Sequence, residues 1–223
     1  MLLHRIHLDP RCKEVRRDLA DYYQLHSTLC RAFSKADKKC PPGEFLWRHE
    51  PETNAKGLPQ ILILSKNLPD WSGIGIKGWL NSVDPAIDLK EKLQLQQLSP
   101  GQRFRFRLRA NPSVTRKGKR FGLMQASEQE SWLEKKSHLH GFQLQELPSF
   151  ALTESENCRL DVCIVEERVL RGKQHSGNSI TIFSVLFEGV LSVTEPEKFI
   201  QTLGSGIGHA KAMGQGMLSI IPV

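Results

Sequence analysis

The chain has 223 residues and a formal net charge of +7, which is enough length for one large or two small domains and predicts a polyanionic partner, nucleic acid before an anionic membrane surface. No stretch approaches the roughly 20 apolar residues that cross a bilayer, which argues against a membrane-spanning helix. His4, Arg5 and His7 interrupt the apolar run at the start, so we expect no signal peptide there.

The cysteines are odd in number and form no CxxC pair. Free thiols in a reducing cytoplasm are the simplest expectation for such a set. His138 and His140 lie close together, but without nearby partners they indicate no metal site. We therefore expect a cytoplasmic protein with no metal and no small-molecule cofactor.

Hydrophobic patterning in the first half of the chain predicts one long helix among several strands. The helix is expected over 13–34, and the strands over 1–8, 44–49 and 60–66. The next stretch, 75–97, is ambiguous, because Trp79 and Leu80 fit a short helix while 88–96 fits a last strand.

The second half begins after the candidate linker Ser99-Pro100-Gly101 and repeats the mixed order of strands and helices. The predicted elements are a strand over 102–110, a short strand over 121–124, a helix over 127–140, strands over 160–169 and 179–193 with a hairpin turn over 171–178, a short helix over 195–202 and a closing strand over 217–223. Ser127 and Glu130 have the spacing of a capping box at the start of the longer helix.

The resulting order of strands and helices is typical of α+β domains of the split-βαβ kind, with helices packed on one face of an antiparallel sheet. We expect two such domains in tandem, at 1–98 and 102–223. The open face of a sheet of this kind is also a common RNA platform.

The strand before Ala110 alternates arginine with apolar residues without error. Because successive side chains in a strand point to opposite faces, one face is expected in the core and the other carries a row of guanidinium groups. The expected core face holds Phe104, Phe106 and Leu108, and the other face holds Arg103, Arg105, Arg107 and Arg109. Two interpretations are open: a solvated face with salt-bridging neighbours, or a surface that contacts phosphates.

Two further basic clusters lie at expected turns. The first contains Gly118, which predicts a turn, and the second lies at the tip of the 160–193 hairpin. The first comprises Arg116, Lys117, Lys119 and Arg120, and the second comprises Arg168, Arg171 and Lys173. Together with the arginine strand they indicate binding to a nucleic-acid backbone that weakens as salt rises.

Tyr23 and His26 are three residues apart on the long helix, so their side chains are neighbours at the edge of its apolar stripe. Histidine exchanges protons near neutral pH, tyrosine donates hydrogen bonds, and RNA carries its own nucleophile in the 2′-hydroxyl. Such a pair beside basic residues could cut RNA without a metal, although the spacing alone favours a packed or surface histidine.

The segment before the closing strand is rich in glycine. Its glycines include Gly204, Gly206, Gly208, Gly214 and Gly216. It follows a helix rather than a strand and has no glycine directly before Lys211, so it is neither a dinucleotide fingerprint nor a P-loop. It is therefore either a phosphate-contacting loop or a close-packed structural loop.

In this order the motifs resemble the CasE type of CRISPR repeat-processing endoribonuclease, from the Cascade surveillance complex. The matching residues are Arg17-Asp18-Leu19, Tyr23-Gln24-Leu25-His26, Phe106-Arg107-Leu108-Arg109-Ala110-Asn111-Pro112, Trp132-Leu133, Leu186-Phe187-Glu188-Gly189, and in the tail Gly206-Ile207-Gly208, Ala210-Lys211, Met213-Gly214, Gly216 and Leu218-Ser219. They spread over nearly the whole length, while segments 35–100 and 141–180 match only in outline.

The resemblance implies two tandem ferredoxin-like (RRM-like) domains and metal-independent cutting of CRISPR precursor transcripts at the base of each repeat hairpin. The products would carry a 2′,3′-cyclic phosphate and a 5′-hydroxyl. The catalytic residues would be His26 and Tyr23, and the basic hairpin that enters the RNA groove would lie near Arg168. The protein would keep the guide RNA and join other Cascade subunits.

Three functions fit these patterns. A nuclease uses His26 and Tyr23 for proton transfer, in roles that the sequence leaves open, with Lys211 and the 116–120 cluster as candidates to stabilise the phosphate. A non-catalytic RNA-binding scaffold of the same fold would merely pack both side chains. A nucleotide-binding enzyme would instead use the glycine-rich tail.

Overall fold

The N-terminal sheet is antiparallel and carries buried apolar residues on both faces. The structure, a computed structural model, describes residues 1–34, 39–148, 159–173 and 177–223. The strands of this sheet are β1 (Leu2–Leu8), β2 (Phe45–His49), β3 (Gln60–Ser65), β4 (Leu80–Val83) and β5 (Ile87–Asp88). They lie in the order β2-β3-β1-β4, and β5 also pairs with β1. The predicted strands over 1–8, 44–49 and 60–66 are confirmed.

Two helices, α1 (Lys13–Ala20) and α2 (Tyr22–Arg31), replace the single helix predicted over 13–34. The break lies at Asp21, whose backbone is extended with φ −132° and ψ 99°. Its side chain accepts hydrogen bonds from the backbone N–H groups of Tyr23 and Gln24. The prediction was wrong because an aspartate in this conformation starts the second helix and cannot continue the first.

The stretch 75–97 also differs from the prediction. Leu80 begins β4 rather than a helix. Instead of a strand over 88–96, the chain forms helix α3 (Leu89–Lys92) and a 3-10 turn (Leu95–Gln97). The Asp88 carboxylate explains the difference, because it accepts from a backbone N–H of the first turn of α3 and caps it.

A second 3-10 turn (Trp71–Ile74) and the fully buried Trp79 lie in the connection from β3 to β4. The Trp79 indole N–H donates to Asp18 Oδ2 at 2.9 Å, and the Thr28 hydroxyl donates to the same oxygen at 2.8 Å. The buried Asp18 carboxylate therefore ties α1, α2 and this connection together.

The C-terminal sheet repeats the arrangement of the first. Its strands are β6 (Arg103–Ala110), β9 (Phe142–Leu144), β10 (Val162–Lys173), β11 (Ser179–Val193) and β12 (Leu218–Pro222). They lie in the order β10-β11-β6-β12, and β9 also pairs with β11. Without the short β5 and β9, both sheets place their strands in the order second, third, first, fourth. The fold is therefore α+β with two tandem ferredoxin-like sheets, as expected.

Helices α4 (Ala126–Leu139) and α5 (Pro196–Ser205) pack on the apolar face of β6, which confirms that Phe104, Phe106 and Leu108 are buried. The capping box predicted at Ser127 is wrong. Helix α4 starts one residue earlier, after Gln125, and its N-cap has no side-chain hydrogen bond.

A separate hairpin carries the first basic cluster. It consists of β7 (Ser113–Arg116) and β8 (Lys119–Gly122), joined by Lys117 and Gly118 at φ values of 49° and 74°. Two consecutive positive φ values are the signature of a tight two-residue hairpin turn, so the turn predicted at Gly118 is confirmed. The sequence predicted a strand over 121–124 but missed β7, and it missed β9 in the main sheet.

The two sheets share no strand in the described part of the chain, and they meet at the face of the first sheet that is opposite to α1 and α2. There Leu46, Leu62 and Leu64 pack against Met217, which comes just before β12. Over the same described ranges, no helix has the length and apolar character needed to cross a membrane.

Candidate active site

Helix α2 carries Tyr23 and His26 at the edge of its buried stripe. Leu25 and Leu29 are fully buried against the N-terminal sheet, whereas Tyr23 and His26 are only partly buried. The fixed stripe sets the rotation of the helix, so these two side chains are held at the surface of the molecule beside the packed core.

The His26 imidazole has weak partners. Its Nε2 lies 3.6 Å from Cys30 Sγ one turn further along α2, and its ring centroid lies 5.4 Å from that of Phe45. Its Nδ1 is buried and has no hydrogen-bond partner among the residues that the structure describes. Burial lowers the pKa of His26 below its ordinary 6.5, because an imidazolium would lose hydration there. The ring is therefore neutral at pH 7 and able to accept a proton.

His26 opens into a cavity of about 850 Å³ at the junction of the two halves. From the N-terminal half the cavity is lined by β2 and the end of β3, and from the C-terminal half by α5 and the glycine-rich segment. Three lysine side chains, Lys66, Lys90 and Lys211, lie in its wall together with Glu44. The cavity therefore places cations around the imidazole, which is what an anionic substrate requires.

Tyr23 lines a neighbouring groove rather than the His26 cavity. The 3-10 turn Lys211–Met213 separates the two, and Ala212 contributes to the walls of both. The structure thus brings Tyr23, His26 and Lys211 to one small region.

The glycine-rich segment is close-packed over most of its length. A Cβ at Gly214, where φ is 71°, would lie 2.9 Å from the Trp47 ring, and a Cβ at Gly206, where φ is 74°, would lie 2.8 Å from the Gly216 carbonyl oxygen. Both positions therefore require glycine. The same packing presents Lys211 at the surface, so the segment is structural along its length and offers one cation to the cavity.

The arginine strand divides into two parts. Arg103 and Arg105 are exposed, as a phosphate-contacting surface requires. Arg107 instead contacts the carboxylates of Glu50, Glu52 and Glu188 at 2.8, 3.1 and 2.5 Å. The expectation that all four guanidinium groups are available to phosphates is therefore wrong for Arg107 and Arg109.

Arg109 is the most buried member of this row, with 1% of its surface exposed, and it pairs with Glu166 at 2.6 Å. Of the two interpretations of the arginine strand, the one in which neighbouring carboxylates form salt bridges with the arginines fits Arg107 and Arg109. Their partners come from the loop after β2, from β10 and from β11, which no local pattern reveals.

Both basic hairpins expose cations. On the β7–β8 hairpin these are Arg116, Lys117, Lys119 and Arg120, and on β10 they are Arg171 and Lys173. Arg168 differs, because it is only partly exposed and forms an ion pair with Glu166. Arg171 and Lys173 therefore offer charge to a partner, while Arg168 is committed to a carboxylate.

Sequence reasoning missed a buried polar network on β2. Arg48, 1% exposed, donates to Glu50 at 2.6 Å and to the carbonyl oxygens of Arg107 and Met217 at 3.1 and 3.3 Å. The only local signal was a charged residue inside an apolar strand. This network fastens the two sheets together behind the His26 cavity.

A second missed contact joins the start of α2 to β2. The Tyr22 hydroxyl and His49 Nδ1 are 2.6 Å apart, and burial together with the nearby Arg168 and Arg109 lowers the pKa of His49 to about 4. His49 is therefore neutral at pH 7, and its Nδ1 accepts a hydrogen bond from the Tyr22 hydroxyl. The contact fixes the first turn of α2 against the sheet.

The described ranges contain no group of three or more histidine, cysteine, aspartate or glutamate residues that could hold an ion. Cys12, Cys30, Cys40 and Cys163 are free thiols.

Comparison with known proteins gives one family and several full-length relatives. A family model described as CRISPR associated protein matches residues 1–222. The chain is 36% identical over 226 residues to the CRISPR-associated endoribonuclease Cse3 of Thermus thermophilus, with 100% of both chains covered. It is 30% identical over 216 residues to the Cascade subunit CasE of Escherichia coli, with 91% of this chain and 93% of the relative covered.

Solved structures agree with these matches. The endoribonuclease Cse3 bound to a 19 nt RNA has a TM-score of 0.81 and 35% identity, with 100% of both chains covered. A Thermus thermophilus Cse3 bound to an RNA that represents a pre-cleavage complex has a TM-score of 0.80 and 34% identity, with 99% of this chain and 98% of the other covered. Cas6e from Escherichia coli has a TM-score of 0.66 and 25% identity, again with 100% of both chains covered.

Proposed function

Because the chain belongs to the CRISPR associated protein family, we propose that it is an endoribonuclease that cuts CRISPR precursor transcripts at the base of each repeat hairpin. The observation that carries this proposal is full-length similarity to a relative named as an endoribonuclease, in a chain whose partly buried His26 faces a cavity lined by cations. The cytoplasm is the proposed location, in keeping with the free thiols.

In the proposed reaction the RNA supplies the nucleophile. The 2′-oxygen bonds to phosphorus, the bond from phosphorus to the 5′-oxygen breaks, and His26 takes the proton of the 2′-hydroxyl. The lowered pKa of His26 supports the role of general base, because the ring is already neutral at pH 7. Its Nε2 is the acceptor, since Nδ1 is buried and the thiol at Nε2 is a weak partner. The products are a 2′,3′-cyclic phosphate and a 5′-hydroxyl.

Tyr23 and Lys211 have supporting roles in this proposal. The Tyr23 hydroxyl donates to the departing 5′-oxygen, which gains a proton as it leaves. The Lys211 ammonium stabilises the extra negative charge on the phosphate. Lys211 is well placed for this role, because it begins the 3-10 turn that separates the groove of Tyr23 from the cavity of His26. Since these steps need only side chains, no metal ion is required.

The exposed basic hairpins hold the RNA in this proposal. A regular A-form duplex is recognised mostly by shape and backbone, so cations at hairpin tips suit the end of a stem. Arg103 and Arg105, the exposed cations of the β7–β8 hairpin, and Arg171 and Lys173 at the end of β10 supply them. The protein keeps its cut guide RNA and joins other Cascade subunits, which is proposed from the relative named as Cascade subunit CasE.

A cleavage assay separates this proposal from a non-catalytic RNA-binding scaffold of the same fold. The protein is incubated with a CRISPR repeat hairpin RNA in excess chelator, and the new ends are identified by their phosphorylation state. We expect cutting to persist in chelator, and His26→Ala to reduce its rate about 100-fold or more with little change in RNA affinity.

The matched control is His138→Ala, an exposed histidine on α4, which should leave both cutting and binding unchanged. Tight binding of the hairpin by the wild-type protein without any product would favour the scaffold and overturn the nuclease.

A further inference from the structure

A groove of about 640 Å³ lies between the β7–β8 hairpin and the β10–β11 hairpin, with Tyr23 in its wall. The proposed chemistry uses only that one tyrosine and leaves the rest of the groove without a role. Its floor contains Ile182 and Met213, which are buried in the core behind it.

Exposed apolar side chains gather around this groove. Met124 is 72% exposed and Val169 is 56% exposed, and both line it. Large apolar groups left in water at one place indicate a surface that is covered in the working complex.

The rims of the same groove are cationic. Arg120 lines the groove, and the rest of the basic cluster lies on the same hairpin. Across the groove, Arg171 and Lys173 extend from the strand that carries Val169. Apolar and aromatic surface between cations is the combination that binds unpaired nucleotides, because the cations meet phosphates and the apolar surface meets the bases.

Polar groups at the inner end of the groove suit the edge of a base. Asn111, which is 5% exposed, and Ser113 line it beside Tyr23. Their side chains offer both donors and acceptors of hydrogen bonds. The strand β8 approaches β11 closely, since a Cβ on Gly122 would lie 3.1 Å from the Cβ of Phe183, so this wall of the groove has little room to move.

We infer that this groove holds an unpaired nucleobase of the RNA next to the bond that is cut, between Met124, Val169 and Arg120. The inference rests on the proposed function and deepens it, because it names a second feature of the substrate beside the paired stem. A base held there is anchored within the groove that Tyr23 shares, so the adjoining phosphate stays near the proposed proton donor.

The test uses the full-length protein and a hairpin RNA in which a 2′-deoxy nucleotide at the cleavage site removes the nucleophile, so that binding is measured without cutting. A matched series of RNAs carries an abasic residue at each unpaired nucleotide next to the scissile phosphate. The protein variant is Met124→Ser/Val169→Thr, which removes apolar contact while keeping the β-branched shape of residue 169. The control is Leu139→Ser/Ile221→Thr, which replaces two exposed apolar residues elsewhere by the same polar ones.

We expect one abasic position to weaken binding to the wild-type protein and to the control about tenfold. The Met124→Ser/Val169→Thr variant should bind the intact RNA about tenfold more weakly than the wild type does. It should no longer distinguish the intact RNA from the abasic one.

Two results would overturn the inference while leaving the nuclease intact. One is wild-type affinity of the variant for intact RNA, as expected if the groove receives another protein subunit. The other is an equal loss on intact and abasic RNA, as expected if the two side chains contact only the backbone. Failure of the wild-type protein to bind or cut any intact hairpin would instead remove the proposed function itself.

Discussion

The Asp21 carboxylate accepts a hydrogen bond from the backbone N–H of Lys173 at 3.2 Å. The same carboxylate caps α2 through the N–H groups of Tyr23 and Gln24. Next to this bond, a Cβ on Gly172 would lie 3.1 Å from Tyr23 Cβ, so the hairpin backbone lies against the helix. One side chain therefore starts the helix of the candidate active site and holds the basic β10–β11 hairpin beside it.

Replacement of Asp21 should weaken both attachments at once. We expect Asp21→Ala to lower the free energy of unfolding by about 1–2 kcal/mol, the usual cost of a lost helix cap. RNA cutting should also slow, because the β10–β11 hairpin loses its hydrogen bond to the start of α2. Denaturant unfolding and single-turnover cleavage measure the two effects.

Asp21→Asn is the matched control, because an asparagine oxygen still caps a helix and should recover most of the stability. If Asp21→Ala unfolded at the same denaturant midpoint as the wild-type protein, this role would be contradicted.

The buried Arg48–Glu50 pair should contribute more to stability than the exposed Arg107–Glu52 pair. Glu50→Gln leaves the Arg48 guanidinium, 1% exposed, without its carboxylate, and we expect a loss of about 3 kcal/mol in the free energy of unfolding. Glu52→Gln removes the exposed partner of Arg107 and should cost less than about 1 kcal/mol. If the two substitutions lowered the free energy of unfolding equally in urea, burial would not determine the cost of losing an ion pair here.

The pH dependence of cutting reports the protonation state of His26. Because burial lowers its pKa below 6.5, a general base at this position is active at neutral pH and is lost only as the pH falls below that value. We expect the single-turnover rate at saturating RNA to be flat around pH 7 and to drop about tenfold per pH unit in acid. A rate that rises as the pH falls through 6 would assign His26 to the acid instead.

The β7–β8 hairpin should contribute to the salt dependence of RNA binding. Lys117→Gln/Lys119→Gln removes two exposed cations, and the slope of log affinity against log salt should become shallower by about 1–2 if each contacts a phosphate. Lys13→Gln/Lys135→Gln, on exposed helical positions, removes the same charge elsewhere and should leave the slope unchanged. Equal slopes for both double variants, measured by titration over a salt series, would exclude the hairpin from the interface.

Local periodicity predicted those elements of this fold that are determined by residues close together in the sequence. The alternation around Phe106 predicted β6 and its buried face, and Gly118 predicted the hairpin turn. The helix break at Asp21 was missed because an aspartate is also tolerated inside a helix. The carboxylate also accepts a hydrogen bond from the Lys173 backbone N–H, and this partner is far away in the sequence.

The candidate site was predicted only as single residues. Tyr23, His26 and Lys211 could be named from the sequence, but the cavity that His26 and Lys211 line is made by segments far apart in the chain. The carboxylates that occupy Arg107 and Arg109 were invisible for the same reason, since Glu50 and Glu166 are each 57 residues away from their arginine partner.

The joint between the sheets also has an evolutionary consequence. Arg48 reaches the distant strands through the main-chain oxygens of Arg107 and Met217, and every amino acid supplies such an oxygen. Mutational drift at positions 107 and 217 therefore leaves these two acceptors in place. Position 48 has no such freedom, because a lysine there would lose the planar fork that serves a carboxylate and two carbonyls together.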